Sequence, residues 1–276
     1  MSADPAVTQA DTLSLGVSIV LFRTPVTAIV SLLQQLLAQG ARLVYIVDNS
    51  PKDFDTFGNW VPPERVLVIA TRRNLGYGRA NNLAIRDSVR RHKYHLVCNP
   101  DVDLDPDSLP RLYALMESRL DVGLCSPRIV GVDGEQHYLC KRLPSPFDLA
   151  IRRFTPENWF TARRAHYEMR DQSYERPMEP AFLSGCFMFF RCEVLARLDG
   201  FDERYFLYIE DLDLSRRAAT VARNLYTPDI RIIHAAHRGA YKSLRLLRYF
   251  CISVFRYFNK WGWFEQPWFT TRSSNP

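Results

Sequence analysis

The sequence predicts an α/β fold, a mainly parallel central sheet with helices on both faces followed by an amphipathic C-terminal helix. Two observations carry this. Over the first two thirds of the chain, short continuous apolar runs alternate with longer stretches whose apolar residues recur at helical spacing. Repeated strand–helix–strand units of this kind give parallel sheets joined by right-handed crossovers. Several apolar runs also end in acidic or amide residues, and ligands of such sheets bind beyond the carboxyl ends of the strands.

Val17 to Phe22 (VSIVLF) reads as the first strand, because a strand covered on both faces has no need to alternate. Pro25 starts a helical stretch to Gln39, with Ile29, Leu32, Leu33, Leu36 and Leu37 on one face and Gly40 as its stop. Val44 to Val47 is the second strand, closed by the turn cluster Asp48-Asn49-Ser50-Pro51, and Val66 to Ala70 is the third. A helix is expected from Arg79 to Arg91, then a strand from His95 to Cys98 ending in Asn99-Pro100-Asp101-Val102-Asp103. Asp105 is the expected N-cap of a helix from Pro106 to Arg119. A short strand, Val122 to Cys125, follows.

From Ile129 the pattern changes. Asp133-Gly134 reads as a hairpin turn. Residues 144 to 177, rich in arginine and aromatics but weak in periodicity, read as an insertion or lid beside a site. Ala181 to Arg191 is expected as one buried strand and Glu193 to Leu198 as a helix stopped at Gly200. Leu212 to Val221 should be helical, and Ile230 to Ile233 a strand delivering His234.

The formal charge is +6, with arginine pairs at 72–73, 90–91, 152–153 and 163–164. That balance suits a phosphate-bearing substrate or a lipid surface. The basic residues form no single run and no nucleic-acid motif is present, which argues against a nucleic-acid partner. The six cysteines form no CxxC pair, and several sit in apolar runs where a reduced thiol acts as a small hydrophobe. No basic-then-apolar leader is visible, and the strongest apolar stretch, Phe182 to Phe190, is too short to span a bilayer. The expectation is a cytoplasmic chain without a membrane span.

Three segments carry candidate chemistry. Asp101 and Asp103 follow a buried strand, where carboxylates are hard ligands for Mg²⁺ or Mn²⁺ holding a diphosphate; they would equally suit a turn before a capped helix. Glu210-Asp211 lies in FDERYFLYIEDLDLSRR, where preceding aromatics predict partial desolvation and a stronger base, although acids also favour a helix N-terminus. NLGYGRANN, Asn74 to Asn82, joins a strand to a helix. Its Gly76 and Gly78 would allow close backbone approach to a ligand, and Asn81 in place of a third glycine excludes a dinucleotide fingerprint.

In chain order these features are a strand ending DNS, the glycine–asparagine turn, a strand ending NPDVD, the buried FLSGCFMF, then FDERYFLYIEDLDL and a strand ending in His. The order resembles the family 2 glycosyltransferases of the GT-A nucleotide-sugar fold. It looks most like their rhamnosyltransferase branch, which carries NPD where others carry Asp-x-Asp. The resemblance covers about Leu15 to His237. It implies an inverting, divalent-metal-dependent transfer of a sugar, with L-rhamnose from dTDP-rhamnose as first choice, to a saccharide or lipid-linked saccharide in cell-surface polysaccharide synthesis. The alternatives are another UDP- or dTDP-linked sugar, such as galactose or N-acetylglucosamine, or a non-catalytic nucleotide-sugar-binding protein.

The resemblance also implies roles. Asp48 would contact the nucleobase, and Asn74, Gly76 and Arg79 would line the nucleotide and phosphate side, with Asn99 where the first acid of the commoner motif stands. Asp101 would bind the metal and Asp103 would face solvent, with His234 or the nearby His237 completing the metal site. Gly185 and Cys186 would border donor sugar and acceptor, Asp211 would be the base, and Glu210 would orient acceptor or base. The expected organisation is a flexible stretch 1–14, a catalytic domain 15–240 with a donor half to about 127 and an acceptor half from 128, and a tail from 241.

Lys242 to Trp261 reads as a two-faced helix, with Lys242, Arg245, Arg248, Arg256 and Lys260 opposite Leu244, Leu247, Phe250, Val254, Phe258 and Trp261. It either lies on an anionic membrane surface, which would place the protein peripherally on the inner face of the plasma membrane, or packs on the domain with its basic face in water.

Overall fold

The computed structural model describes residues 12–235 and 243–264. At its centre β1 (Leu13–Leu21) runs parallel to β2 (Ala41–Asp48) on one side and to β4 (Tyr94–Cys98) on the other, with β3 (Val66–Ala70) outside β2. The two-residue period of a strand divides its side chains between two cores. Leu15, Val17, Ile19 and Leu21 pack with Leu32, Leu33 and Leu36 of α1 (Val30–Ala38) and with Leu109, Leu112 and Met116 of α3 (Ser108–Ser118). Val20 joins Tyr45 and Val47 against Ala80 and Ala84 of α2 (Tyr77–Arg91) on the opposite face. Both faces are covered, so the continuous apolar runs are accounted for.

The second half completes an eight-stranded sheet of order β3-β2-β1-β4-β9-β6-β10-β5. β9 (Phe187–Arg191) lies antiparallel between β4 and β6 (Val122–Val130), and β10 (Arg223–His234) runs parallel to β6. Phe187 and Phe189 enter the first core. Met188 and Phe190 enter another, with Leu195 of α6 (Cys192–Leu198), Phe201 and Leu214 of α7 (Glu210–Ala218). The end of β10 returns antiparallel to β5 (Val102–Leu104), pairing His234 with Val102 beside Asp101.

Several expectations are corrected. The first strand begins at Leu13, inside the stretch expected to be flexible; residues 1–11 lie outside the described residues. α3 starts at Ser108, with Asp107 at φ 60° before it. Asp105 does not cap: its carbonyl accepts from Ser108, and its carboxylate pairs with Arg231 at 2.7 Å. β10 is longer than expected because Pro228 falls where its register against β6 shifts, between Thr227 and Arg231. Residues 144–177 form α4 (Pro146–Phe154), opened by a Ser145–Asp148 capping box, and α5 (Thr161–Tyr167), each too short to show a clear period.

Ala181 to Arg191 is not one strand. β8 (Phe182–Leu183) pairs with β7 (Cys140–Lys141) in a separate two-stranded sheet, and the chain breaks at Ser184-Gly185-Cys186 before β9. The cause is local, since the Gly185 amide donates to Asp211 instead of to a neighbouring strand.

α8 (Leu244–Trp261) packs its apolar face on the domain, burying Tyr257 and Phe258 against Leu149, Phe182, Tyr205, Ile209 and Leu212. Lys260, expected on the solvent face, donates to Asp202 and to the fully buried Asp213, which also accepts from the Trp261 indole. No described helix is long and apolar enough to cross a membrane. Lys242 and His237 lie outside the described residues.

Candidate active site

At the carboxyl end of β2 the polar residues are tied to one another. Asp48 Oδ1 accepts from the Ser50 amide at 3.1 Å and the Thr56 hydroxyl at 2.9 Å, which closes the loop after the strand. The Asn49 side chain donates to Asn74 Oδ1 at 3.0 Å and accepts from the Leu75 amide at 2.8 Å, while Gly76 N–H donates to Asn74 Oδ1 at 2.9 Å. Asn74 therefore shapes the turn into α2. Gly76 is needed there for a reason other than the one the sequence suggested. Its φ is +87°, and a Cβ would stand 2.2 Å from the Phe206 carbonyl oxygen, so the close approach is to the protein's own backbone. Arg79, half exposed, pairs with Glu203 at 3.2 Å.

One residue further into α2, Tyr77 joins the strand ends. Its hydroxyl lies 2.9 Å from Asn99 Oδ1 and 2.8 Å from the Gly185 carbonyl. One phenolic proton cannot serve both oxygens, so the Asn99 amide is better turned with its NH₂ toward the hydroxyl, which then donates to Gly185. The Asn99 amide N–H donates to the Cys186 carbonyl at 2.9 Å, and Gly185 N–H donates to Asp211 Oδ2 at 2.8 Å. These bonds bring the ends of β4, the 184–186 break and the start of α7 into one cluster. Glycine is required at 185 because a Cβ would meet the Asp211 side chain at 3.0 Å.

Asp101, after β4, and His234, ending β10, meet with Nε2 and Oδ1 3.2 Å apart. His234 is 8% exposed, and among the described residues neither ring nitrogen has a hydrogen bond of good geometry. Buried, unsatisfied imidazole nitrogen beside a carboxylate is the donor chemistry of a divalent cation, so the residues fit one. No third His, Cys, Asp or Glu completes a cluster among the described residues. The His137 ring stands edge-on to His234 at 6.1 Å. Asp103 is exposed, as expected, and accepts from Gln35 at 3.2 Å.

The acidic pair divides its duties. Glu210 is 5% exposed with Oε2 unsatisfied, and burial together with the neighbouring Asp211 charge pushes its pKa well above the ordinary range. The desolvation expected for both acids thus falls on Glu210. Asp211 is partly exposed and its carboxylate accepts from two backbone amides, Gly185 and Leu212. Cys186 is buried, its thiol pushed up to about 12 mainly by burial, with Asp101 and Asp211 both adding to the shift. Its carbonyl accepts from Asn99 at the end of β4, and the preceding Gly185 donates to Asp211, so the segment stands near both the candidate metal residues and the candidate base. The site also holds two residues that sequence reasoning missed. Tyr77 stands inside NLGYGRANN, a segment weighed for its glycines, asparagines and arginine but not for its tyrosine, and Lys141 sits in a Lys-Arg pair that looks like solvated surface.

A model of the family described as glycosyl transferase family 2 matches residues 26–199. An N-acetylglucosaminyl-diphospho-decaprenol L-rhamnosyltransferase of Mycobacterium tuberculosis is 30% identical over 184 residues, 61% of this chain and 58% of that protein. The chain thus spans less than two thirds of that relative's length. Rhamnosyltransferase WbbL of Escherichia coli K12 is 26% identical over 198 residues, covering 66% of this chain and 69% of that one. Among solved structures, the mannosyltransferase PcManGT from Pyrobaculum calidifontis, in complex with GDP-Man and Mn²⁺, superposes with a TM-score of 0.56 at 15% identity, covering 93% of this chain and 68% of that one.

Proposed function

The chain belongs to glycosyl transferase family 2, and from that premise we propose that it moves L-rhamnose from dTDP-rhamnose, with inversion, onto a lipid-linked saccharide. The observation that carries the reading is the convergence of Asp211 with the Asp101–His234 pair across Gly185 and Cys186. A proton acceptor and a diphosphate-binding group then flank one anomeric carbon.

Asp211 is the base. Its carboxylate is aimed by the Gly185 and Leu212 amides and takes the proton of the acceptor hydroxyl as that oxygen bonds to the anomeric carbon. The bond from this carbon to the diphosphate breaks in the same step, and the nucleoside diphosphate leaves. Burial and the neighbouring Asp211 charge raise the pKa of Glu210 well above the usual carboxylate range, which favours its neutral form. Asp101 and His234 would hold a divalent cation, Mn²⁺ or Mg²⁺, whose chemistry is to neutralise charge on the departing diphosphate. The two rhamnosyltransferase relatives support the choice of sugar, and the mycobacterial one supports a lipid-diphosphate-linked acceptor. The outward side of α8 exposes Leu244, Ile252 and Phe255 among Arg245, Arg248 and Arg256. That composition favours peripheral contact with an anionic inner leaflet, where such an acceptor would be met from the cytoplasm.

The test is transfer from dTDP-rhamnose to a synthetic N-acetylglucosaminyl-diphospholipid, with UDP-galactose and UDP-N-acetylglucosamine as competing donors. We expect a rhamnoside of anomeric configuration opposite to the donor, seen by NMR, with formation abolished by chelation and restored by Mn²⁺. Retained configuration, or undiminished transfer in excess EDTA, would overturn the mechanism; preference for a UDP-sugar would overturn the donor.

A further inference from the structure

Lys141 is 3% exposed, at the end of β7 and opposite Phe182 of β8. Its Nζ stands 4.9 Å from the centre of the Phe182 ring. Among the described residues no carboxylate forms an ion pair with it and no oxygen accepts a hydrogen bond from it. An ammonium buried without an anion costs several kcal/mol, and few structural roles repay that cost. Its surroundings indicate a purpose. The charges that act on it are those of Asp211 on α7, Glu168 after α5, Arg152 on α4 and the Cys186 thiol. Burial, followed by the Arg152 charge, lowers its pKa to about 7, against the pull of Asp211 and Glu168.

Lys141 thus lies within reach of the base's charge, and the strand it pairs with leads directly into the 184–186 break, where the Gly185 amide donates to Asp211. Arg152 is exposed and contacts the buried Tyr167 hydroxyl. The same helix exposes Phe147 and Phe154, and Trp159 and Phe160 follow in the next loop. Base, buried cation, exposed arginine and exposed aromatics supply partners for a sugar hydroxyl, a phosphate linkage and an apolar chain. We infer that Lys141, assisted by Arg152, binds the diphosphate of the acceptor and thereby selects lipid-diphosphate-linked sugars over neutral ones. This rests on the transferase reading above.

Farnesyl diphosphate is a suitable probe, titrated by calorimetry into the full chain in excess EDTA so that the donor site cannot take it. Saturable binding is expected, with farnesol at least tenfold weaker. Lys141→Met, which keeps length and removes the charge, should weaken farnesyl diphosphate at least tenfold while dTDP affinity in Mn²⁺ changes less than twofold. Arg152→Gln, on an exposed position, should weaken the probe about threefold and gives a second reading if the buried variant folds poorly. Wild-type affinity in both variants, absence of binding to the wild type, or a parallel loss of dTDP binding would overturn the inference. Binding as expected without sugar transfer would count against the enzymatic reading alone; transfer without such binding would count against Lys141 alone.

Discussion

Two neighbouring regions at the carboxyl end of the sheet treat their polar side chains in opposite ways. Around Asp48, Asn49 and Asn74, donors and acceptors close on one another: Asp48 holds Ser50 and Thr56, and the two asparagines lock the turn before α2. Around Glu210 and His234, buried side-chain atoms lack such partners among the described residues, and nearby Lys141 reaches only the face of the Phe182 ring. Since buried polar groups are nearly always satisfied, the first region is finished architecture and the second is arranged for something the protein binds. Substitutions in the closed region should cost stability, and those in the open region should cost chemistry.

The largest effect tests the open side. Asp211→Asn keeps the shape of the base but not its ability to take a proton, so kcat should fall by about a thousandfold or more, roughly 4 kcal/mol of transition-state stabilisation. Donor binding and the unfolding midpoint should change little; near wild-type turnover would place the base elsewhere. Gly76→Ala tests the closed side. A Cβ 2.2 Å from the Phe206 carbonyl oxygen and a φ of +87° should together cost about 3 kcal/mol in urea unfolding. Activity per folded molecule should fall less than tenfold. Unchanged stability with collapsed donor affinity would move Gly76 to the open side.

Lys141→Met crosses the comparison, because it removes an unsatisfied charge. The folded-state pKa lies below the unfolded one, about 7 against 10.5, so the burial penalty is complete below pH 7. Between pH 7 and 10.5 the unfolded chain binds more protons, and stability from this residue rises with pH. The variant should therefore be more stable than wild type at pH 6.5, by about 2 kcal/mol after relaxation is allowed for, and the gap should narrow by pH 9.5. A variant less stable at both pH values would show that the ammonium has an internal partner.

How far the sequence reached depends on the scale of the signal. The strands of the first half were legible because Val17 to Phe22 or His95 to Cys98 must be apolar on both faces, and the residues that end them followed at once. Asp101, Asp211 and His234 were read from chain order; Asp101 and His234 stand 3.2 Å apart, and Asp211 accepts from Gly185 in the neighbouring break. The break at Gly185 was hidden because an apolar run carries no mark of where its amides stop pairing. Lys141 and Lys260 looked like ordinary surface lysines, since burial of a long cationic side chain depends on what folds over it. The cap expected at Asp105 falls two residues short of the position before α3, and the pull of Arg231 on Asp105 comes from a strand more than a hundred residues away.

The smallest expected effect marks the boundary between the two regions. Arg79 follows the glycine turn and was read as lining the donor phosphates, yet its guanidinium pairs with Glu203 at 3.2 Å and is half exposed. Glu203 is also held by Arg86 at 2.7 Å and by Asn82 at 3.2 Å, so losing Arg79 leaves no bare carboxylate. An exposed pair with such a substitute contributes under about 1 kcal/mol. Arg79→Ala should therefore shift the unfolding midpoint little and leave dTDP affinity in Mn²⁺ within about threefold. If that affinity instead drops tenfold or more, and drops less at high salt, Arg79 leaves Glu203 for the diphosphate when donor binds. The open region would then extend one turn along α2, and the ion pair would be a latch on the donor side.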